Sequence, residues 1–402
     1  MIVAAKPNQG GKPVANEHTL KLTDVGVLEH AAQVLKEHLP LKADGYVCTT
    51  EDLINILLGA AANCGTVQAL GTDLVGSPDP ETIRGYLREQ LRVEELPDLE
   101  QCLNAALAQK VPARVWRQAR DVAIDFHDRP YYGKTSQEDG LWIRAQAKDG
   151  TTHFYRIATA YVMLNGLRVT LSIHFVLPGD ETVEIVKILL KRVQKHHIRI
   201  NCLCLDKGFG GIVTMDYLTR QGLSALIACT IRGKTGGTRA LCQGRKSYRT
   251  THTFQGKDGI TFTANLAVCR TFTTAKRTKR LKRRVVWLIY ILINLDLAPR
   301  VARRLYRKRF GVETSYRCSG HVRGWTTSNN PAYRFVLMAL AFVLLNVWIY
   351  LRWLFTQVPR RGCRWLDTQR FQLSRLAKFI RRALEDHYGC VREIVAPAVP
   401  RL

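Results

Sequence analysis

Between Arg334 and Arg352 run seventeen residues, Phe335 to Leu351, that carry no formal charge and are mostly apolar. A helix of that character has two homes: the hydrocarbon of a membrane, for which it is close to the minimum length, or a soluble core large enough to surround it. Asn346 lies inside the run, basic residues flank both ends and set no orientation, and no second such segment accompanies it, so the core is the expected home and no membrane partner is expected. A chain of 402 residues, 46% hydrophobic, can build such a core with one or two smaller domains beside it. The rival reading of this segment is a basic protein with a single membrane span, and detergent-independent solubility would dismiss it.

The formal net charge of +27 specifies no fold but favours a polyanionic partner, nucleic acid or an anionic membrane surface. Met1 to Val14 are polar and contain Gly and Pro without an apolar stretch, which is no secretory signal; a cytoplasmic protein is expected. The eleven cysteines form no CxxC pair and no Cys/His cluster with zinc spacing, so they read as reduced thiols. Cys202 and Cys204 alternate along an apolar run, as small residues on one strand face do.

The periodicity divides the chain. Residues 1–118 read as an N-terminal helical, DNA-binding domain, with apolar spacing of three and four in Leu53–Leu58 and in Ile83–Leu87. Within it, Ser77-Pro78-Asp79-Pro80-Glu81 is a helix start, and Thr82 to Arg88 fits either the recognition helix of a helix-turn-helix or an ordinary amphipathic helix. Residues 119–231 change to strand character: a strand at Val122–Phe126, two more over His153–Leu164 and Leu167–Leu177, then helix and strand in alternation. Residues 232–284, rich in Gly, Thr and basic side chains, read as a β-rich insertion that ends in Lys276-Arg277-Thr278-Lys279-Arg280-Leu281-Lys282-Arg283-Arg284. So many like charges repel unless a partner neutralises them, and a DNA backbone would do so. The core resumes over 285–357 with the apolar strand Val285–Ile293, a helix from about Ala298 to Tyr316 and the long apolar helix; 358–402 form a basic helical tail with an amphipathic helix over Asp367–His387. The expected class is α/β, a mixed sheet flanked by helices.

Three acids stand at the abrupt ends of apolar elements. Asp125 closes Val122–Ile124, Asp206 closes Cys202–Leu205, and Glu313 lies on the helix after the last strand. Hard divalent cations take oxygen ligands, and acids from separate elements can converge to hold them for phosphoryl transfer. Singly, each acid has a plainer role as turn, cap or ion-pair residue. The joint pattern is more specific, because Tyr306, Arg309 and Glu313 fall at i, i+3 and i+7, one stripe of a helix. An aromatic, a guanidinium and a carboxylate there suit a metal beside a phosphate, with Tyr306 and Arg309 touching DNA. Asp128, after His127, is a lesser competitor to Asp125, and His127 itself reads as structural.

These segments resemble the insertion-sequence transposases that have a ribonuclease-H-like catalytic core and an Asp, Asp, Glu triad. The resemblance covers about Val122 to Leu354. It rests on Ala123-Ile124-Asp125-Phe126-His127 with Pro130-Tyr131-Tyr132-Gly133, on Leu205-Asp206-Lys207-Gly208-Phe209, and on Tyr306-x-x-Arg309-x-x-x-Glu313, with a β-rich insertion before the Glu. It implies Asp125, Asp206 and Glu313 as catalytic metal ligands, Mg²⁺ (or Mn²⁺) as a pair of ions, cleavage at the ends of a mobile element, and attack of the freed 3′-hydroxyls on target DNA. It further implies double-stranded DNA as partner, a homodimer on DNA, and a cytoplasmic, nucleoid-associated protein. Lys207 is a candidate phosphate contact. One departure stands out: the family signature has a Lys seven residues beyond the Glu, where this chain has Gly320. Arg317 or Arg323 is the candidate replacement for that charge. The competing expectation is a DNA-binding relative without catalysis.

Overall fold

The computed structural model describes residues 21–133, 141–164, 167–256, 259–277, 280–309, 316–360 and 363–395. Six helices come first: α1 (Asp24–His38), α2 (Thr50–Ala62), α3 (Val67–Asp73), α4 (Pro80–Gln90), α5 (Leu96–Gln109) and α6 (Ala113–Trp116). Their starts follow capping chemistry. Thr49 and Asp52 form a reciprocal capping box at α2, and the Asp79 side chain accepts from the first-turn amides of α4, whose first residue is Pro80.

A nine-stranded mixed sheet follows, built from β1 (Arg120–Pro130), β2 (Ile143–Lys148), β3 (Thr151–Leu164), β4 (Leu167–Val176), β5 (Ile200–Leu205), β6 (Ala225–Cys229), β7 (Tyr248–Gln255), β8 (Thr261–Arg277) and β9 (Arg280–Ile293). The order is β2-β3-β1-β5-β6-β9-β8-β7, with β4 beside β3; β1, β5 and β6 are parallel and the remaining neighbours antiparallel. Helices α7 (Thr182–Lys195) and α8 (Ile212–Arg220) cover one face through Val186, Leu189, Met215 and Leu218. Helix α9 (Pro299–Arg309) covers the other through Ala302 and Tyr306. Burial on both faces is why β5 and β6 read as unbroken apolar runs. Cys202 and Cys204 are buried on the α9 side, in one cluster with Ala123, Leu226, Ala302 and Tyr306.

The long apolar helix is α10 (Pro331–Phe355), and it is wrapped by protein. It packs against α1, α2, α5 and α11 (Leu373–Tyr388), and one hydrophobic cluster joins all of them to β3 and β4 through Tyr155, Ile157, Ile173 and Phe175. Asn346 explains itself here. Its amide donates to Leu107 O (2.9 Å) and Thr170 O (2.8 Å), and its carbonyl accepts from Thr170 N (3.2 Å) where the β3–β4 register shifts. One polar side chain thus satisfies the backbone of α5 and of an irregular strand. Asn346→Leu keeps the branched outline of the side chain but strands these groups, and should cost about 2–4 kcal/mol in urea unfolding; an unchanged midpoint would show that the contacts carry no weight. A second clamp is Glu100 of α5, buried with its oxygens accepting from His174 Nδ1, Arg192 Nη2 and Phe175 N. Burial pushes its carboxyl up, but His174, Arg192 and the Phe175 amide more than offset this and hold it below the usual range.

Three expectations need correction. The strand holding Asp125 does not end there: β1 runs on to Pro130, because its other edge pairs with β3 as far as Pro130↔Phe154. Residues 232–284 are no separate insertion that closes before a core strand. β8 and β9 form one hairpin paired from Asn265↔Leu292 to Arg277↔Arg280, so the expected boundary at 284 and 285 falls inside β9, and β7 and β8 extend the main sheet. The tail helix begins at Leu373 rather than Asp367, and a small hairpin, β10 (Gln357–Arg360) with β11 (Cys363–Leu366), precedes it.

Candidate active site

The central strands are short and their neighbours long. β5 and β6 have six and five residues, whereas β1, β3, β8 and β9 have 11, 14, 17 and 14. At the carboxyl ends of the parallel strands the sheet therefore has a notch, the place where parallel α/β sheets bind ligands. The notch opens into a cleft of about 1460 Å³. Asp125 and Asp206 sit at its floor. The last β1–β5 pair is Ile124↔Leu205, so these aspartates are the next residues on two adjacent strands. Past Asp206 the chain turns into a 3₁₀ turn, Lys207–Phe209, with Phe209 N bonded to Asp206 O (3.0 Å) and the buried Phe209 ring stacked on Phe126 at 4.3 Å.

Arg309, at the end of α9, reaches both acids. Its Nη1 lies 2.8 Å from Asp125 Oδ2 as an ion pair, and Nη2 donates to Asp206 Oδ1 at 2.9 Å. The Tyr306 hydroxyl donates to the same Asp206 oxygen at 3.4 Å, and the guanidinium lies 5.1 Å from the Tyr306 ring. Burial pushes the Asp125 carboxyl up to about 6; Arg309 opposes this, Asp206 adds to it. The two carboxylates push the Arg309 guanidinium above its ordinary range against the effect of burial. Behind Asp125, the Tyr316 hydroxyl contacts Thr159 Oγ1 (2.6 Å) and Asp125 O (3.4 Å). The His127 ring stacks on Tyr316 at 4.4 Å and burial pushes it down to about 3, so His127 is neutral filling. Asp128 is held by Arg156 (2.6 and 2.9 Å) on the cleft wall.

The expected site residues are thus distributed unevenly. Asp125, Asp206, Tyr306 and Arg309 come together, whereas Glu313 lies outside the described residues. Tyr306 and Arg309 do not face solvent as DNA contacts: Tyr306 is 3% exposed, packed on Tyr290, and Arg309 is spent on the two acids. Helical spacing put them on one stripe but could not tell that the stripe faces inward. Lys207 is exposed on the cleft rim, and Arg284 is exposed on β9. Lys276, Arg277, Arg280, Lys282 and Arg283 have their backbone on the β8–β9 hairpin, while Lys279 lies outside the described residues. Arg317 is exposed, and Arg323 is buried in a different cavity, away from the acids. Space around Gly320 is open. On α4, Arg84 and Arg88 both pair with Glu81, which partly neutralises that helix face. Sequence reasoning missed Tyr316 and the Arg156–Asp128 pair, which meets only because Asp128 of β1 lies opposite Arg156 of β3.

The comparisons with known proteins agree with this geometry. The transposase DDE domain model matches residues 116–346, more than half of the chain and every element that builds the notch. The chain belongs to the transposase DDE domain family. No curated protein sequence matches it. Among solved structures the fold is similar to that of the piggyBac transposase in its synaptic complex with hairpin DNA, with a TM-score of 0.53 and 12% identity over 90% of this chain and 77% of the other. The protein is therefore a DNA transposase with a ribonuclease-H-like core and DNA as its partner, and domains of this family use divalent metal ions.

The donor set suits such an ion. Two hard carboxylates on adjacent strands share one guanidinium, and a divalent cation would meet the same demand for positive charge. Among the described residues no third acid, His or Cys gathers with them. The Asp125 shift makes a prediction for the metal-free transposase. A carboxyl raised from 3.8 to about 6 contributes stability below pH about 4 that is lost as pH rises through 6. Asp125→Asn should thus unfold at higher urea than wild type at pH 8, by up to about 3 kcal/mol, with the gap closing near pH 4. Equal midpoints at both pH values would contradict it.

Proposed function

We propose that this transposase binds the ends of its own mobile element, cleaves them by metal-dependent phosphodiester hydrolysis and joins the freed 3′-hydroxyls to target DNA. The observation that carries the reading is the pair Asp125 and Asp206 in the notch at the carboxyl ends of the parallel strands, bridged by Arg309. Asp125, Asp206 and Glu313 would hold Mg²⁺, with Mn²⁺ as substitute and two ions as the expected number. Bound there, the metal would supply charge to activate the attacking oxygen and stabilise the leaving one.

The remaining chemistry belongs to the chain. Arg309 bridges the two carboxylates, and once their charge is met otherwise its guanidinium is free to turn to a phosphate oxygen. Tyr306, anchored on Tyr290, limits where that guanidinium can go. Lys207 and Arg156 on the walls, with Arg317 and the hairpin cations Lys276 to Arg284, would position the DNA backbone. The N-terminal helices add further DNA contacts, and the active form is a homodimer on paired ends in the cytoplasm, associated with the nucleoid.

The test is incubation with labelled DNA carrying the element's ends, with Mg²⁺, Mn²⁺ or chelator. Nicking or joined products only with metal support the reading. Binding without cutting under every metal would favour a DNA-binding relative without catalysis, for which Gly320 is the feature to revert. Light scattering on the DNA complex would expose a monomer.

A further inference from the structure

We propose that the cavity around Arg129, Arg323 and Trp325 is a second DNA subsite, which takes a backbone phosphate on its guanidiniums and an unstacked base on Trp325. The inference rests on the DNA-cleaving reading and adds to it a place for the strand beside the cut.

The cavity holds about 590 Å³ and is separate from the notch, with Arg129, Tyr132, Arg323, Trp325, Asn329 and Arg334 in its wall. It gathers three guanidiniums, and among the described residues none of the three is in an ion pair with a carboxylate. Arg323 is only 6% exposed. Burial, then the charges of Arg323 and Arg334, push Arg129 down to about 9, against the opposing charge of Asp149, the one carboxylate in the lining of the cavity. Like charges brought together out of water persist at a cost that an anion would relieve.

The aromatic side of the cavity fits the rest of a nucleotide. Trp325 is 52% exposed, unusual for so large a side chain, while its backbone N is fixed to Gly65 O at 2.8 Å. The Arg323 guanidinium lies 4.7 Å from the indole and Arg129 5.8 Å, so a phosphate and a stacking face lie side by side. Tyr132, 69% exposed, is steadied by its hydroxyl on Asp149 O at 2.7 Å. A phosphate alone would need the arginines but not the aromatics.

The position relative to the acids also fits. Asp125 and Arg129 are four residues apart on the continuous strand β1, so they project from the same face about 13 Å apart. That is roughly four nucleotides along a duplex axis.

The experiment places 2-aminopurine at each of the first four positions on either side of the cut and follows its fluorescence on binding the whole protein. Wild type should change the signal at one position. Trp325→Ala should abolish that change and weaken binding about tenfold, and Trp325→Phe should restore both. Arg323→Met should lower the slope of log affinity against log salt by about one, the loss of one phosphate contact. Because Trp325 is half exposed, its Ala variant should melt with the wild type. If wild type cuts element ends while Trp325→Ala gives the same fluorescence and affinity, the subsite is wrong and the cleavage reading survives. If wild type neither binds nor cuts, both fall.

Discussion

Asp206→Ala should abolish metal-dependent cutting of element ends, by at least about a thousandfold, while affinity for the same DNA in chelator stays within a few fold of wild type. Asp206 is half-buried at the floor of the notch and touches Arg309 and Tyr306 rather than the cleft walls. Its loss removes a hard oxygen donor without removing a cation that DNA could contact. The variant should also fold, because Arg309 keeps Asp125 as counterion. Cutting that persists in the variant would remove Asp206 from the catalytic set, and equal loss of binding and cutting would make it a structural residue.

Arg309→Met should be the most destabilising change in the notch of the metal-free protein at pH 8, at about 3–5 kcal/mol, because it leaves two neighbouring carboxylates without their shared counterion. The sign follows from Asp125, already raised to about 6 with the guanidinium in place. Without it, one of the two acids takes up a proton, so the loss should shrink as the pH falls below 6. Divalent cation should then stabilise the variant more than wild type, since nothing internal has to be displaced. The check is a melting series with Ca²⁺, Mg²⁺ and chelator. A variant that melts with wild type, or gains no more from cation than wild type does, would show that Arg309 is not the acids' counterion.

The two aspartates were legible in the sequence because a carboxylate after three or four apolar residues marks where a buried strand reaches its edge. The length of β1 was not, since Phe126 to Arg129 lack strand-like alternation and owe their conformation to pairing with β3. The long apolar helix was correctly expected in the core, and Asn346 marked it, but its three hydrogen-bond partners come from 176 and 239 residues away in the chain. The same limit applies to Arg309. Periodicity gives the angle of a side chain about its helix, and only the sheet beneath α9 decides which angle is inside. Register hid the extent of the hairpin as well: the Gly, Thr and basic residues of 232–284 read as a separate β-rich insertion, whereas thirteen consecutive cross-strand pairs join β8 to β9 and so to the main sheet.

That hairpin has a geometric consequence. β9 pairs with β6 only over Ile289–Ile293, so Arg280 to Leu288 run on with β8 alone, leaving the sheet at the edge where Asp125 and Asp206 lie. Nine residues of strand reach about 30 Å. Laid along a duplex, that is the length of about nine base pairs. The hairpin is an arm fixed at one end to the strand beside the notch, and under the proposal that its cations position the DNA backbone, substrates trimmed short of its reach should bind less tightly than longer ones.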